Sequence, residues 1–262
     1  MHLWDDKKGH LIVPYKKYAY VKDRNGQNVS LYGDRLKRVT NWDKEDPTLH
    51  ESDVPPMTRF LVDQYTDSDE SSTGHRVMFF DIEVEVTEGF PDVQKAQNVI
   101  TSIALYDSTT ETYFTYVYDS KQRLKSYTKD DQVVEIYETE YEMLNKFFQK
   151  YLEIRPTILS GWNSEFFDIP YLYNRAVRVL GPEIANLMSP ISQVIYSEYK
   201  KKHTIAGVSS LDYLQLYRQF TFTQQSSYRL DYIGEVEVGM KKVSYEGTLN
   251  DLYDNDLQTF ID

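Results

Sequence analysis

Alternating apolar and polar positions in the middle of the chain predict three strands. Residues 76–86 (RVMFFDIEVEV) are rich in β-branched and aromatic residues, which is typical of a strand. Two further β-rich runs, 99–106 and 113–118, are separated by the turn-like sequence DSTTET. We therefore expect three antiparallel strands.

Helical spacing of apolar residues follows these strands. Apolar side chains recur every three or four positions over 140–153, which predicts a helix. The run 157–159 is the next predicted strand, and a second helix should begin near Pro170 and end at Gly181 and Pro182. A helix, a strand and a helix after a three-stranded meander indicate an α/β fold in which helices flank a mixed sheet.

The first 75 residues have a different pattern. Aromatic and apolar residues flank Asn25 and Gly26, a strong two-residue turn signal, so this segment predicts a β-hairpin. Residues 43–75 carry nine acidic and two basic side chains, and we interpret them as an acidic connector with one short helix or strand at MTRFLVDQY. The sequence thus predicts a small β-rich module and its connector over 1–75, and a larger domain over 76–262.

The composition limits which metal ligands and which partners the chain can have. The 262 residues include 29 Lys and Arg, 41 Asp and Glu and no cysteine, so any metal must bind oxygen or histidine ligands. The net charge of −12 argues on average against a nucleic-acid partner, yet residues 1–40 carry nine basic and four acidic side chains. Neither an apolar run of membrane-spanning length nor a signal-peptide pattern is present, so we expect a soluble, cytoplasmic protein without a membrane partner.

Carboxylates at two places in the chain are candidates for chemistry. In FFDIEVEV a strand would place Asp81, Glu83 and Glu85 on one face, although a solvated sheet face explains such alternation equally simply. Asp168 lies just before the second predicted helix, where an acid also favours the helix dipole. Asn163 follows a predicted strand, the position at which α/β proteins place functional loops.

Taken together, the two acidic segments resemble a known family. FDIE on a first strand and GWNSEFFDIPYLYNR further along the chain are similar to the first two exonuclease motifs of family-B DNA polymerases, and the likeness continues over residues 211–235. The resemblance implies a ribonuclease-H-like 3′→5′ exonuclease domain. It matches Asp81 and Glu83 to the first motif and Asp168 to the second, as catalytic residues and ligands of two Mg²⁺ or Mn²⁺ ions.

The chain departs from the family pattern near its end. The family's third motif, Tyr-x-x-x-Asp on a late helix, supplies a fourth carboxylate. Here DNDLQTFID predicts the start of a helix capped by Asp254, and the spacing from Tyr253 to Leu257 lacks the acid. We therefore expect this chain to be the opening part of a larger polymerase and to be weakly active or inactive alone.

A second hairpin is a candidate contact with DNA. Residues 193–197 and 203–208 can pair as strands around EYKKK. The resemblance implies the hairpin that helps to move a primer end between the polymerase and exonuclease sites. An ordinary surface hairpin with solubilising lysines is the alternative. The predicted tip residues are Tyr199, Lys200, Lys201 and Lys202.

Other candidate contacts lie close to the acids in the sequence. Asn163 is a candidate polar contact with DNA, and Phe167 a candidate for stacking on a splayed base. Phe167 belongs to a group of four nearby aromatic residues, most of which we expect in the core: Phe79, Trp162, Phe166 and Phe167. His75 and His203 lack ligand spacing and are predicted at the surface.

Three functions fit these observations. The leading hypothesis is the N-terminal and proofreading part of a DNA-directed DNA polymerase. It would act on single-stranded 3′ ends and primer–template DNA, with the remaining polymerase domains and a sliding clamp as partners. The alternatives are a non-catalytic module that binds nucleic acid or the other polymerase half, and a stand-alone repair nuclease. The segment YVKDRNGQNVSLYG of the front module loosely resembles the N-terminal domain of these polymerases, and this resemblance argues against the repair nuclease.

Overall fold

The computed structural model describes residues 1–43, 46–71, 73–87 and 89–262. Its described residues form two compact units, Met1–Thr73 and Gly74–Asp262. Residues 44, 45 and 72 of the predicted acidic connector lie outside the described residues.

The first unit consists of short strands and one helix. Its elements are β1 (His2–Asp5), β2 (Gly9–Ile12), β3 (Ala19–Lys22), β4 (Asn28–Val29), β5 (Arg35–Val39) and α1 (Pro56–Tyr65). Strand β1 pairs with β2, and a separate sheet has the order β3-β5-β4. The helix falls within the MTRFLVDQY segment, for which either a helix or a strand was open.

The hairpin predicted around Asn25 and Gly26 is wrong. Strands β3 and β4, on either side of this turn, do not pair with each other, because β5 lies between them. The amide of Gly26 donates to the carbonyl oxygen of Asp23 at 2.9 Å. A Cβ at Gly26 would lie 2.3 Å from the backbone of Leu36, so this glycine allows the turn to pack directly against β5.

The second unit contains a large sheet, a separate hairpin and most of the helices. Its strands are β6 (Val77–Val84), β7 (Ile100–Asp107), β8 (Thr112–Tyr118), β9 (Tyr127–Lys129), β10 (Gln132–Tyr137), β11 (Ile158–Gly161), β12 (Val194–Ser197), β13 (Lys202–Ile205) and β14 (Ser209–Asp212). Its helices are α2 (Glu140–Ile154), α3 (Asp168–Val179), α4 (Pro182–Ala185), α5 (Tyr213–Phe220), α6 (Leu230–Val238), α7 (Leu249–Asn255) and α8 (Leu257–Ile261).

The central sheet is mixed, with the order β14-β11-β6-β7-β8-β10-β9. Strands β6, β7 and β8 form the predicted antiparallel meander, while β11 runs parallel to β6 and β14 runs parallel to β11. Strand β10 runs parallel to β8. Because β6, β11 and β14 run in the same direction, their carboxyl ends point towards the same edge of the sheet.

One face of the sheet carries the main core. Helix α2 packs on β7, β8 and β10, and α3 packs on β6. Thr139 caps α2 by accepting the N–H of Glu142, and the buried side chains of α2 have the predicted helical spacing. On the opposite face, Leu257 of α8 packs against Val117 and Val134. This architecture confirms the predicted α/β fold, in which helices flank a mixed sheet and short strands precede it in the sequence.

Three details of the second unit differ from the sequence prediction. Strands β9 and β10 were not predicted, because their mixed sequence lacks a clear alternation. Helix α7 was also missed, and its Thr248–Asp251 capping box explains why it forms. The predicted cap Asp254 lies inside α7. The carboxylate of Asp256 caps α8 instead, by accepting the N–H of Thr259 at 3.1 Å.

Candidate active site

Strand β6 presents acids on the face opposite the main core. Phe80 and Ile82 point into the core and are buried, whereas Asp81 is exposed and Glu83 is half-buried. The strand pairing shifts register between Glu83 and Val84, and β6 ends there. Glu85 consequently lies beyond the strand, so β6 itself carries two of the three acids predicted to share its face.

Asp168 joins the second acidic segment to this strand. It is the first residue of α3, two positions earlier than the predicted helix start near Pro170, and its side chain is buried with 3% exposure. Its Oδ1 accepts the backbone N–H of Ile82 at 3.1 Å. Because Ile82 lies between Asp81 and Glu83, this bond brings the two acidic segments together.

The pKa values of all three acids are raised, first by burial and, for Glu83 and Asp168, also by the negative charge of Asp81. Burial raises the pKa of Asp168 to about 8, with the charge of Asp81 as the second cause and the N–H of Ile82 acting in the opposite direction. Burial, followed by the charge of Asp81, raises the pKa of Glu83 to about 7. Desolvation by neighbouring groups raises the pKa of the Asp81 carboxyl although the residue as a whole is exposed, and Lys242 lowers the pKa values of both β6 acids by a smaller amount.

The donor set fits a hard divalent cation. Carboxylate oxygens are the ligands that Mg²⁺ and Mn²⁺ prefer, and Mg²⁺ commonly uses only one or two protein carboxylates together with water. The charge of Asp81 adds to the effect of burial at Glu83 and Asp168, and a bound cation would offset this repulsion. Among the residues that the structure describes, however, no three His, Asp or Glu side chains are arranged to hold one ion together.

A short loop connects the sheet to Asp168. This β11–α3 loop comprises residues 162–167, directly after Gly161. The indole N–H of Trp162 donates to the carbonyl oxygen of Tyr228 at 3.0 Å. Asn163 has a left-handed backbone with φ 65°, which asparagine tolerates better than most residues, and its carbonyl accepts the N–H groups of Phe166 and Phe167. Asn163 therefore has a local structural role in addition to its predicted contact with DNA.

Gly161 allows this loop to pack closely on β6, so we expect Gly161→Ala to destabilise the protein. The added Cβ would lie 2.6 Å from the carbonyl oxygen of Phe80 and 2.9 Å from the Cβ of Ser164. Urea unfolding should show a loss of about 1–3 kcal/mol. Gly234→Ala is the control, since its Cβ would meet one atom at 3.0 Å; its effect should stay within about 1 kcal/mol. Equal effects of the two changes would contradict this explanation.

An exposed aromatic pair lies beside Asp168. The rings of Phe167 and Phe90 are 5.2 Å apart, and Phe167 also packs against Tyr171 at 5.6 Å. Phe90 is 81% exposed, so one face of the pair is open to solvent. The sequence interpretation missed Phe90, although an aromatic residue between Gly89 and Pro91 closely after the acidic strand was a usable signal.

The other aromatic residues predicted near the acids are not core residues. Phe79 and Phe166 are exposed, and Trp162 and Phe167 are half-buried, so the expectation that most of the four lie in the core is wrong. The reason is that Phe79 shares the exposed face of β6 with Asp81. This face borders a cleft of about 500 Å³ whose lining includes Tyr106, Trp162 and Tyr213.

The predicted hairpin is present as β12 and β13. At its tip, Tyr199 is 95% exposed, and the Nζ of Lys201 lies 2.9 Å from Glu198. Lys200 is also exposed. Lys202 instead begins β13, and its Nζ contacts the Oε2 of Glu165 in the β11–α3 loop at 2.7 Å. Lys202 therefore connects the hairpin to the loop that leads into α3.

One histidine prediction is wrong. His203 is 6% exposed, with its ring between those of Tyr173 and Tyr196 at 4.8 and 5.1 Å. It is buried because strand β13 packs on α3. His75 is exposed, as predicted.

The mixed sheet, with two acids on β6 and a third at the start of α3, is consistent with a ribonuclease-H-like exonuclease domain. Residues 58–233 match the family described as DNA polymerase family B, exonuclease domain. The chain therefore belongs to the family-B DNA polymerases.

Individual relatives agree with this assignment. The chain is 34% identical over 215 residues to the DNA-directed DNA polymerase of Escherichia phage RB69, an alignment that covers 71% of this chain and 24% of the relative. It is also 34% identical over 209 residues to the DNA-directed DNA polymerase of Enterobacteria phage T4, covering 68% and 23%. DNA polymerase 1 of Sulfurisphaera ohwakuensis is 28% identical over 207 residues, covering 76% and 20%. The chain thus spans about a quarter or less of the length of these relatives.

The helices were also compared with the length and hydropathy that a bilayer requires. Within the described residues, none is both long enough and apolar enough to cross a membrane.

Proposed function

We propose that this chain is the N-terminal and proofreading part of a DNA-directed DNA polymerase, with residues 76–262 as its 3′→5′ exonuclease domain. The observation that carries the proposal is the bond from the N–H of Ile82 to Asp168, because it unites the acids of two distant segments. The exonuclease-domain match and the two phage relatives support the same function.

In this proposal Asp81, Glu83 and Asp168 hold two Mg²⁺ or Mn²⁺ ions. Such a pair of ions, when bound, supplies an activated water and stabilises the departing 3′ oxygen. Asp168 is positioned by Ile82, and Asp81 reaches solvent at the open side of the sheet. Burial raises the pKa values of the three acids, the charge of Asp81 adds to this at Glu83 and Asp168, and divalent cations would offset the negative charge of the ionised site.

The surrounding residues suit a single-stranded 3′ end. The exposed ring of Phe90, backed by Phe167, offers a face on which an unpaired base can stack. Tyr199 and Lys200 at the hairpin tip are exposed and can approach a DNA backbone, Lys201 beside them pairs with Glu198, and Lys202 ties the start of β13 to the β11–α3 loop. Primer–template DNA, the remaining polymerase domains and a sliding clamp are the proposed partners.

We also propose that these 262 residues alone have low activity. The segment containing α7 and α8 includes Tyr253 but not the aspartate four residues later that the family's third motif requires. A site with three carboxylates has less ligand charge than one with four, so its affinity for cations should be lower.

A non-catalytic binding module is the second candidate. The observation that favours it is the lack, within the described part of the chain, of three acidic or histidine side chains arranged around one ion. Under this alternative, the chain would hold single-stranded nucleic acid or the other polymerase half without cleaving DNA.

The proposed function is tested by the end from which DNA is degraded and by the need for a divalent metal ion. With Mn²⁺ or Mg²⁺, the chain should release mononucleotides from a 3′-labelled single strand, and EDTA should stop this release. A circular single strand, which lacks an end, is the matched control and should stay intact. Cleavage of the circle at the same rate would contradict a 3′→5′ exonuclease. Binding without degradation, even after the chain is extended through a Tyr-x-x-x-Asp motif, would support the binding module.

A further inference from the structure

A second buried carboxylate holds the β11–α3 loop. Asp212 is 3% exposed, and its Oδ1 accepts the N–H groups of Asn163 at 3.1 Å and Leu214 at 3.0 Å. Its Oδ2 accepts the N–H of Glu165 at 3.2 Å. We propose that Asp212 is a positioning residue that fixes this loop and thereby Asp168, an inference that rests on the proposed exonuclease site.

Strand pairing places Asp212 beside the start of the loop. Strands β11 and β14 run parallel, and Gly161 at the end of one lies opposite Asp212 at the end of the other. The hydroxyl of Ser160 donates to the carbonyl oxygen of Leu211 at 2.8 Å, which ties the two strands together just before their ends. The Asp212 side chain therefore leaves the sheet where the β11–α3 loop begins.

The loop needs an acceptor at this place. Its backbone turns at Asn163, whose left-handed conformation directs the N–H groups of Asn163 and Glu165 towards the same point. Buried amides without an acceptor are costly, and converging amides favour an anionic group. The two oxygens of Asp212 satisfy both loop amides together.

The loop in turn determines where Asp168 lies. The carbonyl oxygen of Ser164 accepts the N–H of Ile169 in the first turn of α3, at 2.9 Å. Asp168 lies between these two residues, and its carboxylate contacts Ile82 on the acidic strand. A change in the loop would therefore move Asp168 relative to Asp81.

Asp212 does more than cap a helix. Its bond to Leu214 caps α5, and a serine could replace that bond because serine is a common helix cap. The shorter serine side chain, with one oxygen, could not also accept the N–H groups of Asn163 and Glu165. Asp212→Ser thus separates the cap from the positioning of the loop.

The test compares Asp212→Ser with a variant that removes the cap of a different helix. Thr139→Ala removes the side-chain cap of α2 and is the matched control. Isothermal titration with Mn²⁺, well below the unfolding temperature, should show about 10-fold weaker binding for Asp212→Ser, the size typical of groups that orient metal ligands. Thr139→Ala should stay within about twofold of the wild type. Hydrogen exchange should accelerate at the amides of Asn163 and Glu165 in Asp212→Ser alone.

Asp212→Asn keeps one acceptor oxygen, that of its amide carbonyl, and its Mn²⁺ affinity should fall between those of Asp212→Ser and the wild type; it decides the matter if the serine variant does not fold. Wild-type Mn²⁺ affinity in both variants, with binding lost in Asp168→Asn, would overturn the role of Asp212 and leave the proposed site standing. Unchanged affinity in Asp168→Asn as well would contradict the proposed site, and the role of Asp212 would fail with it.

Discussion

Replacing Asp168 with asparagine should stabilise the metal-free protein at pH 8 by about 2–4 kcal/mol and change its stability little at pH 4. Burial raises the folded-state pKa of Asp168 to about 8, from an ordinary value of 3.8. Below the ordinary value both states are protonated. As the pH rises towards 8, the unfolded state loses its proton first, so the wild type loses stability.

Urea unfolding in EDTA at the two pH values measures this difference. The control is Asp119→Asn, because Asp119 is equally buried but contacts the Nε of Arg123 at 2.9 Å. Breaking that pair should destabilise the protein by about 3 kcal/mol, the opposite sign. Saturating Mn²⁺ should stabilise the wild type and remove the advantage of Asp168→Asn. If Asp168→Asn destabilised the protein at pH 8 in EDTA, that result would contradict the claim that the buried Asp168 carboxylate carries an uncompensated charge.

Arg175→Met should lower the free energy of unfolding by about 3–5 kcal/mol, because it leaves a buried carboxylate without its partner. The Nε and Nη2 of Arg175 donate to the two carboxylate oxygens of Glu140 at 2.8 and 2.6 Å. Its Nη1 donates to the carbonyl oxygens of Gln97 and Ala96 at 2.7 and 3.2 Å. The side chain therefore joins α3, which begins with Asp168, to α2 and to the segment before β7.

The free energies of unfolding of three variants, measured by chemical denaturation, distinguish this buried pair from an ordinary surface ion pair. The double variant Arg175→Met, Glu140→Gln should lose less stability than Arg175→Met alone, because the buried negative charge is gone. Lys121→Met removes a pair with Asp254 that is more than half exposed, and should change stability by less than about 1 kcal/mol. A loss for Arg175→Met as small as that for Lys121→Met would contradict the importance of the buried pair.

The sequence predicted the elements that have strong periodicity. FFDIEV alternates core and exposed side chains, so β6 and the direction of Asp81 were predictable. The apolar spacing over 140–153 likewise identified α2, which is Glu140–Ile154 in the structure. Asp168 was predictable as a site residue through the family motif, but its burial and its bond to Ile82 depend on tertiary packing.

Features set by long-range pairing were not predictable from local patterns. The turn at Asn25 and Gly26 has hairpin chemistry, yet β5 inserts between the flanking strands. The parallel pairing of β10 with β8 brings together segments that no local signal connects. Asp212 was likewise missed, because an aspartate before a helix is an ordinary cap until the β11–α3 loop is seen to donate to it.

Degradation of a 3′-labelled single strand by the wild type and by an Asp81→Ala, Glu83→Ala double variant tests the central claim most directly. Both proteins are assayed with Mn²⁺ and in EDTA, in the 262-residue chain and in a chain extended through the third motif. The account predicts metal-dependent release of mononucleotides by the wild type and only the EDTA level for the double variant. Equal degradation by the two proteins would show that these acids are not the exonuclease site.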